Sequence, residues 1–91
     1  MARWQLGFSG NAERDLAALD RSLRRRIIDK LEWLAANFDY ITPLPLSESW
    51  RGFFKLRIGD WRVVYEIKHA QYLISVCYID RRDKIYKRKI A

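Results

Sequence analysis

Along Leu23, Ile27, Leu31, Leu34 and Phe38 the apolar positions step by four, four, three and four. That spacing lays one continuous stripe on an α-helix. Asp20, just ahead of it, has the side chain of an N-cap. Ala12, Leu16 and Leu19 predict a shorter helix before it, with Ser9 as its cap. Arg24, Arg25 and Arg26 interrupt the longer stripe and are expected mostly in water. Residues 3–8 alternate polar with apolar side chains and read as a short strand. Both helices are amphipathic, so each needs a surface to cover.

Past residue 38 the period changes. Residues 39–49 hold both prolines, Pro43 and Pro45, and are expected as a loop that ends the second helix. FFKLRI, the pair Gly59-Asp60, then WRVVYEI form the pattern of a tight β-hairpin. Residues 68–71 predict the next turn and YLISVCYI the next strand. The order strand, helix, helix, three-strand meander predicts an α+β fold. An N-terminal strand and a two-helix hairpin pack on one face of an antiparallel sheet, with a basic C-terminal segment, as one domain over residues 1–91.

A two-residue turn at Gly59-Asp60 sets Ile58 opposite Trp61, Arg57 opposite Arg62, Leu56 opposite Val63 and Lys55 opposite Val64. Phe54, Leu56, Ile58, Trp61, Val63 and Tyr65 then share an apolar face that meets the helices. Lys55, Arg57 and Arg62 share the other face, with Phe53 and Glu66 nearby. If the next turn pairs Ile67 with Tyr72, Ser75 and Cys77 join that cationic face, Cys77 beside Arg62. Arg57 against Arg62 is a cost to the sheet. As a solvated outer surface, this face has no explanation for that cost.

Charge sharpens the picture. Of 18 Lys and Arg residues eleven lie in residues 50–91, with four of the 11 acids, so that segment carries the whole net charge of +7. Such asymmetry points to a polyanionic partner, nucleic acid or anionic membrane. In 91 residues that are 49% hydrophobic there is no apolar run near the length of a membrane span. No signal-peptide pattern is read at the N-terminus. Cys77 is the only cysteine and His69 the only histidine, which excludes a zinc-type ligand set, and no metal or cofactor is expected. The lone thiol fits a reducing cytoplasm. Cys77 reads as a packing residue rather than a thiolate, and His69 lies in a turn remote from the cations.

WRGFFKLRIGDWRVVYEI (residues 50–67) and DRRDKIY (residues 80–86), with FSGNAERDL and LDRSLRRRI in the helical half, resemble the RelE/ParE superfamily of toxin–antitoxin toxins, its RelE branch in particular. The resemblance covers nearly the whole chain. It implies a metal-independent mRNA endonuclease acting at the ribosome, held inactive by a cognate RelB-like antitoxin, with no membrane role. The ribose 2′-OH would attack the adjacent phosphorus and leave a 2′,3′-cyclic phosphate. By the same resemblance Lys55 is the candidate base or charge stabiliser, its ammonium form disfavoured among arginines. Arg57 and Arg62 would grip the scissile phosphate. Arg82 and Tyr86 match the family's arginine and tyrosine, the latter to stack on or orient a base. Arg81, Lys84, Lys87, Arg88 and Lys89 would draw RNA in.

Two positions depart from the family pattern. Phe53 stands where some members carry a second lysine. Asp80 stands where some carry an arginine with the acid role, which would fall to Arg81 or Arg82. Two rival readings share the fold or the charge: a ParE-like topoisomerase (gyrase) inhibitor without nuclease activity, and a non-catalytic nucleic-acid-binding module. Lys55, Arg57, Arg62, Arg82 and Tyr86 together favour the nuclease.

Overall fold

A computed structural model describes residues 3–89. Its elements are β1 (Gln5–Phe8), α1 (Gly10–Ala17), α2 (Arg21–Ala36), β2 (Leu44–Pro45), β3 (Phe54–Ile58), β4 (Trp61–Lys68) and β5 (Leu73–Arg81). Single 3-10 turns lie at Phe38–Tyr40, Glu48–Trp50, His69–Gln71 and Ile85–Lys87. The sheet order is β1-β5-β4-β3-β2. This is the expected α+β arrangement with one difference: β1 runs parallel to β5, so the sheet is mixed rather than antiparallel throughout. β1 and β5 are separated by the whole helical pair and the meander, and a connection of that length permits a parallel partner.

Both helix caps stand where the sequence puts them. Ser9 Oγ accepts the Ala12 amide at 3.1 Å, and Asp20 Oδ1 accepts that of Leu23 at 2.8 Å. Ser9 Oγ also donates to the Cys77 carbonyl at 2.9 Å, fixing the start of α1 against β5. Ile27, Leu31, Leu34 and Phe38 bury the α2 stripe against Val63, Tyr65, Ile74, Val76 and Ile79 of the sheet. Arg24 does not face water as expected. Its guanidinium donates to the carbonyls of Leu16 at 2.9 Å and Leu19 at 2.8 Å, in the last turn of α1 and just past its end.

The hairpin register is the expected one, Ile58 to Trp61 through Phe54 to Tyr65. Gly59 takes φ +58°, the left-handed geometry such a turn requires. The next register differs. Ile67 pairs with Ile74 rather than Tyr72, because the loop runs through a 3-10 turn and left-handed Tyr72 (φ 49°) before β5 begins. A bulge between Val64 and Tyr65 then shifts the ladder, placing Tyr78 opposite Val64 and Asp80 opposite Arg62. Cys77 is therefore not the neighbour of Arg62. The expected loop 39–49 holds the two-residue β2 on the β3 edge, Leu44 opposite Lys55 and Pro45 opposite Phe54.

Candidate functional site

The face of the sheet away from the helices divides into two halves. Its hairpin-tip half carries Arg57 and Arg62 side by side on β3 and β4, with Lys55 two residues down β3, about 6.6 Å along the strand. Arg62 turns its Nη1 onto the Gly59 and Trp61 carbonyls, at 2.8 and 2.9 Å. That spends part of its charge on the turn. Arg82 follows β5 to the same tip. Its amide donates to the Asp60 carbonyl at 2.8 Å, and its exposed side chain stands 3.8 Å from the Asp60 carboxylate. Thus Lys55, Arg57, Arg62 and Arg82 gather at one end of the sheet from three strands.

Sequence reasoning missed a fifth cation here. A Cβ on Gly59 would lie 2.6 Å from Nη2 of Arg26, so the α2 arginine rests on the hairpin turn in space that only glycine leaves open. Arg26 stays exposed, as expected, but nothing in helical spacing alone connects it to a turn 33 residues later.

The other half of the face is apolar and covered. Trp50, Val64, Cys77, Tyr78 and Ile85 form a second buried cluster, with Leu46 and Phe53 packed against it. Trp50 meets Tyr78 edge-on at 5.6 Å and Phe53 at 5.7 Å. Tyr86 stands at the margin, 40% exposed, its ring 6.3 Å from Trp50. Its ring is thereby oriented from one side and open on the other. Phe53, the first of the two departures noted above, packs here. Burial, with the Glu66 carboxylate beside it, pushes the Cys77 thiol up to about 11, the opposite of a reactive thiolate.

The remaining basic residues of the C-terminal segment separate. Arg81 pairs opposite Trp61, putting it on the helix-facing side with its guanidinium 6.0 Å from the Trp61 ring and 3.9 Å from Asp83. Of the two arginines offered for the acid position, Arg82 is the one beside the Asp60 carboxylate. Lys84, Lys87 and Lys89 are exposed. Arg88 is engaged. Its Nη1 lies 2.8 Å from Asp15 and 3.5 Å from Asp80, and its guanidinium covers the Tyr78 ring at 4.8 Å. Asp15 also accepts the Ile79 amide at 2.8 Å, where β5 has run past the end of β1. Asp80, the second departure from the family pattern, thus helps to anchor the tail. His69 lies at the opposite end of β4 from the cations, its ring 6.0 Å from that of Trp4.

The family model for the ParE toxin of type II toxin–antitoxin systems matches residues 6–86. The chain belongs to this toxin family, within the RelE/ParE superfamily. Toxin RelE of Mycobacterium tuberculosis strain H37Rv is 25% identical over 84 residues, covering 92% of this chain and 87% of that protein. Among solved structures, the toxin–antitoxin complex RelBE2 from Mycobacterium tuberculosis contains a chain superposing with TM-score 0.78 at 23% identity, over 90% of this chain and 94% of that one. A variant of the E. coli toxin RelE in the free state gives TM-score 0.74 at 18% identity, covering 94% and 90%. The archaeal RelE–RelB complex from Pyrococcus horikoshii gives 0.68 at 16%, covering 88% and 96%. These structures share the fold of two helices on a five-strand mixed sheet.

Proposed function

We propose that this toxin inhibits translation by cutting mRNA without a metal, on the ribosome, and that a RelB-like antitoxin holds it in check. The observation that carries this reading is the tip of the outer sheet face. There Lys55, Arg57, Arg62 and Arg82 stand together while the same face farther along is closed by apolar packing. Strand cleavage through the 2′-OH requires a proton to leave that hydroxyl, a new bond from its oxygen to phosphorus, and the P–O5′ bond to break. The 5′-oxygen takes up a proton and the 2′,3′-cyclic phosphate remains. Lys55 is the base or charge stabiliser. Arg57 and Arg62 neutralise the phosphorane, in which negative charge builds on the equatorial oxygens. Arg82 holds the phosphate from the far side of the turn, and Tyr86 orients a base. Arginine is a poor proton donor, so the proton for the 5′-oxygen comes from solvent or from the ribosome. A site so equipped suits an enzyme completed by the ribosome it acts on.

Arg62→Ala tests the assignment. Its side chain lies outside the helix-facing core, so the fold is expected to hold while growth arrest and message cutting are lost. Full toxicity at matched soluble expression would remove the site from this face. A second reading has its own support, the family model being that of a ParE toxin. A topoisomerase inhibitor would produce DNA-damage signalling with intact message, and mapping cuts in mRNA beside that response separates the two.

A further inference from the structure

Three arginines stand in a row on α2, and their side chains go three ways. Arg24 donates to carbonyls at the end of α1, and Arg25 lies 3.3 Å from Asp29 one turn along. Arg26 is exposed, and among the described residues no hydrogen bond or ion pair holds it. Its guanidinium nonetheless has a seat. A Cβ on Gly59 would meet its Nη2 at 2.6 Å, its Cζ at 3.6 Å and its Nη1 at 3.9 Å. The group therefore lies over the β3–β4 turn, in the space that a residue without a side chain leaves.

That turn is also held from the other side. Arg62, from the outer face, donates to the Gly59 carbonyl at 2.8 Å, while Arg26 reaches Gly59 from the helix layer. The two guanidinium groups are thus within about 9 Å of each other, with one residue of backbone between them. The Asp60 carboxylate, next in the chain, is left to Arg82 at 3.8 Å. An arginine kept for structure spends its N–H donors on carbonyls or carboxylates, as Arg24 and Arg25 do. Arg26 is positioned by contact alone and keeps its donors open.

We propose that Arg26 binds the phosphate next to the scissile one. Toward the base the outer face is closed by apolar packing, so a strand of message leaving Arg57 and Arg62 runs over the hairpin tip. Beyond the tip it meets Arg26. Packing on the turn preorganises the guanidinium, and its fork can take two oxygens of one phosphate. This inference rests on the nuclease reading and adds to it a substrate contact from outside the sheet.

The test uses the full chain and ribosomes loaded with a message, whose cut position fixes the register. A methylphosphonate, an uncharged linkage, replaces the phosphate on one side of the cut and then on the other. At sub-saturating substrate the wild type should cut one of the two substituted messages about tenfold more slowly. Arg26→Ala should cut the natural message about tenfold more slowly, through KM rather than kcat, and lose nothing further on that substituted message. Arg26→Lys, which keeps the charge and loses the fork, should fall between the two. Arg25→Ala should match the wild type. A wild-type rate in Arg26→Ala overturns the proposal, as does a loss that adds in full to that of each uncharged linkage. So does a wild type that neither linkage slows, whatever the variants do. If Arg62→Ala is inactive in the same assay, the nuclease reading survives such a failure. Message left uncut by the wild type removes that reading, and this proposal with it.

Discussion

The two halves of the outer sheet face are built on the same strands, yet one is assembled for stability and the other against it. Toward the base, Val64 and Tyr78 are opposite one another under Trp50 and Ile85, a buried cross-strand pair with aromatic edges around it. Toward the tip, the next outward pairing on β4 is Arg57 with Arg62, like charges that a sheet disfavours. A few residues of strand separate the two. The sheet thus needs no separate scaffold for its site. Packing at the base fixes the strands, and the tip is free to hold charges that repel one another.

Substitutions at the base should cost stability and spare the chemistry. Ile85 is 0% exposed, and Ile85→Ala should lower unfolding free energy by about 3 kcal/mol, within the range for buried aliphatic truncations. Urea denaturation reads this, and cutting per folded molecule should persist. Next in size is the tail clamp. Arg88→Met leaves Asp15 and Asp80 without their cation, at a cost of about 1–3 kcal/mol. Adding Asp15→Asn should cost less than the sum of the two single changes, and strict additivity would break the clamp.

At the tip the signs should reverse. Arg57→Thr relieves the like-charge pair, so stability should stay level or rise by a few tenths of a kcal/mol. RNA affinity should fall several-fold, with the salt slope reduced by about one. A destabilised fold with unchanged RNA binding would erase the contrast between the halves. The smallest effect concerns pH. The Cys77 thiol has an ordinary value of 9.0 and is raised to about 11 in the fold, so the unfolded chain ionises first. Its contribution is complete below pH 9.0 and is lost as pH rises toward about 11. The urea midpoint should fall over that window in the wild type and fall less in Cys77→Ala.

Most of the frame was legible because strong local signals agreed. Ser9 and Asp20 marked the helix starts, the stepped apolar stripe marked α2, and Gly59-Asp60 set the hairpin register. Legibility ended where small slips decided the outcome. The loop before β5 moved the register by two residues, and the bulge at Val64/Tyr65, with no Gly or Pro to announce it, moved it by one more; together they exchanged Cys77 for Asp80 beside Arg62. The second apolar cluster was hidden because its members lie scattered, Trp50 and Ile85 in single turns outside the periodic segments. Isolated large apolar residues between charges, Ile85 above all, were the available signal. Arg88 shows the limit of counting charge: the same guanidinium reads as an RNA contact in a basic tail and is an ion-paired anchor in the fold.

The parallel pairing of β1 with β5 has a kinetic consequence. Ser9 and Cys77, bonded across that seam, are 68 positions apart in the chain. The helix pair and the hairpin can form from local contacts, but the sheet closes only when those distant segments meet. Loop closure of that span is an entropic toll levied before its contacts give anything back. The helices and the β3–β4 hairpin are therefore expected to order first and the β1–β5 seam last, so that Gln5→Pro, which removes the amide bonded to the Tyr72 carbonyl at 2.8 Å, should speed unfolding more than it slows refolding.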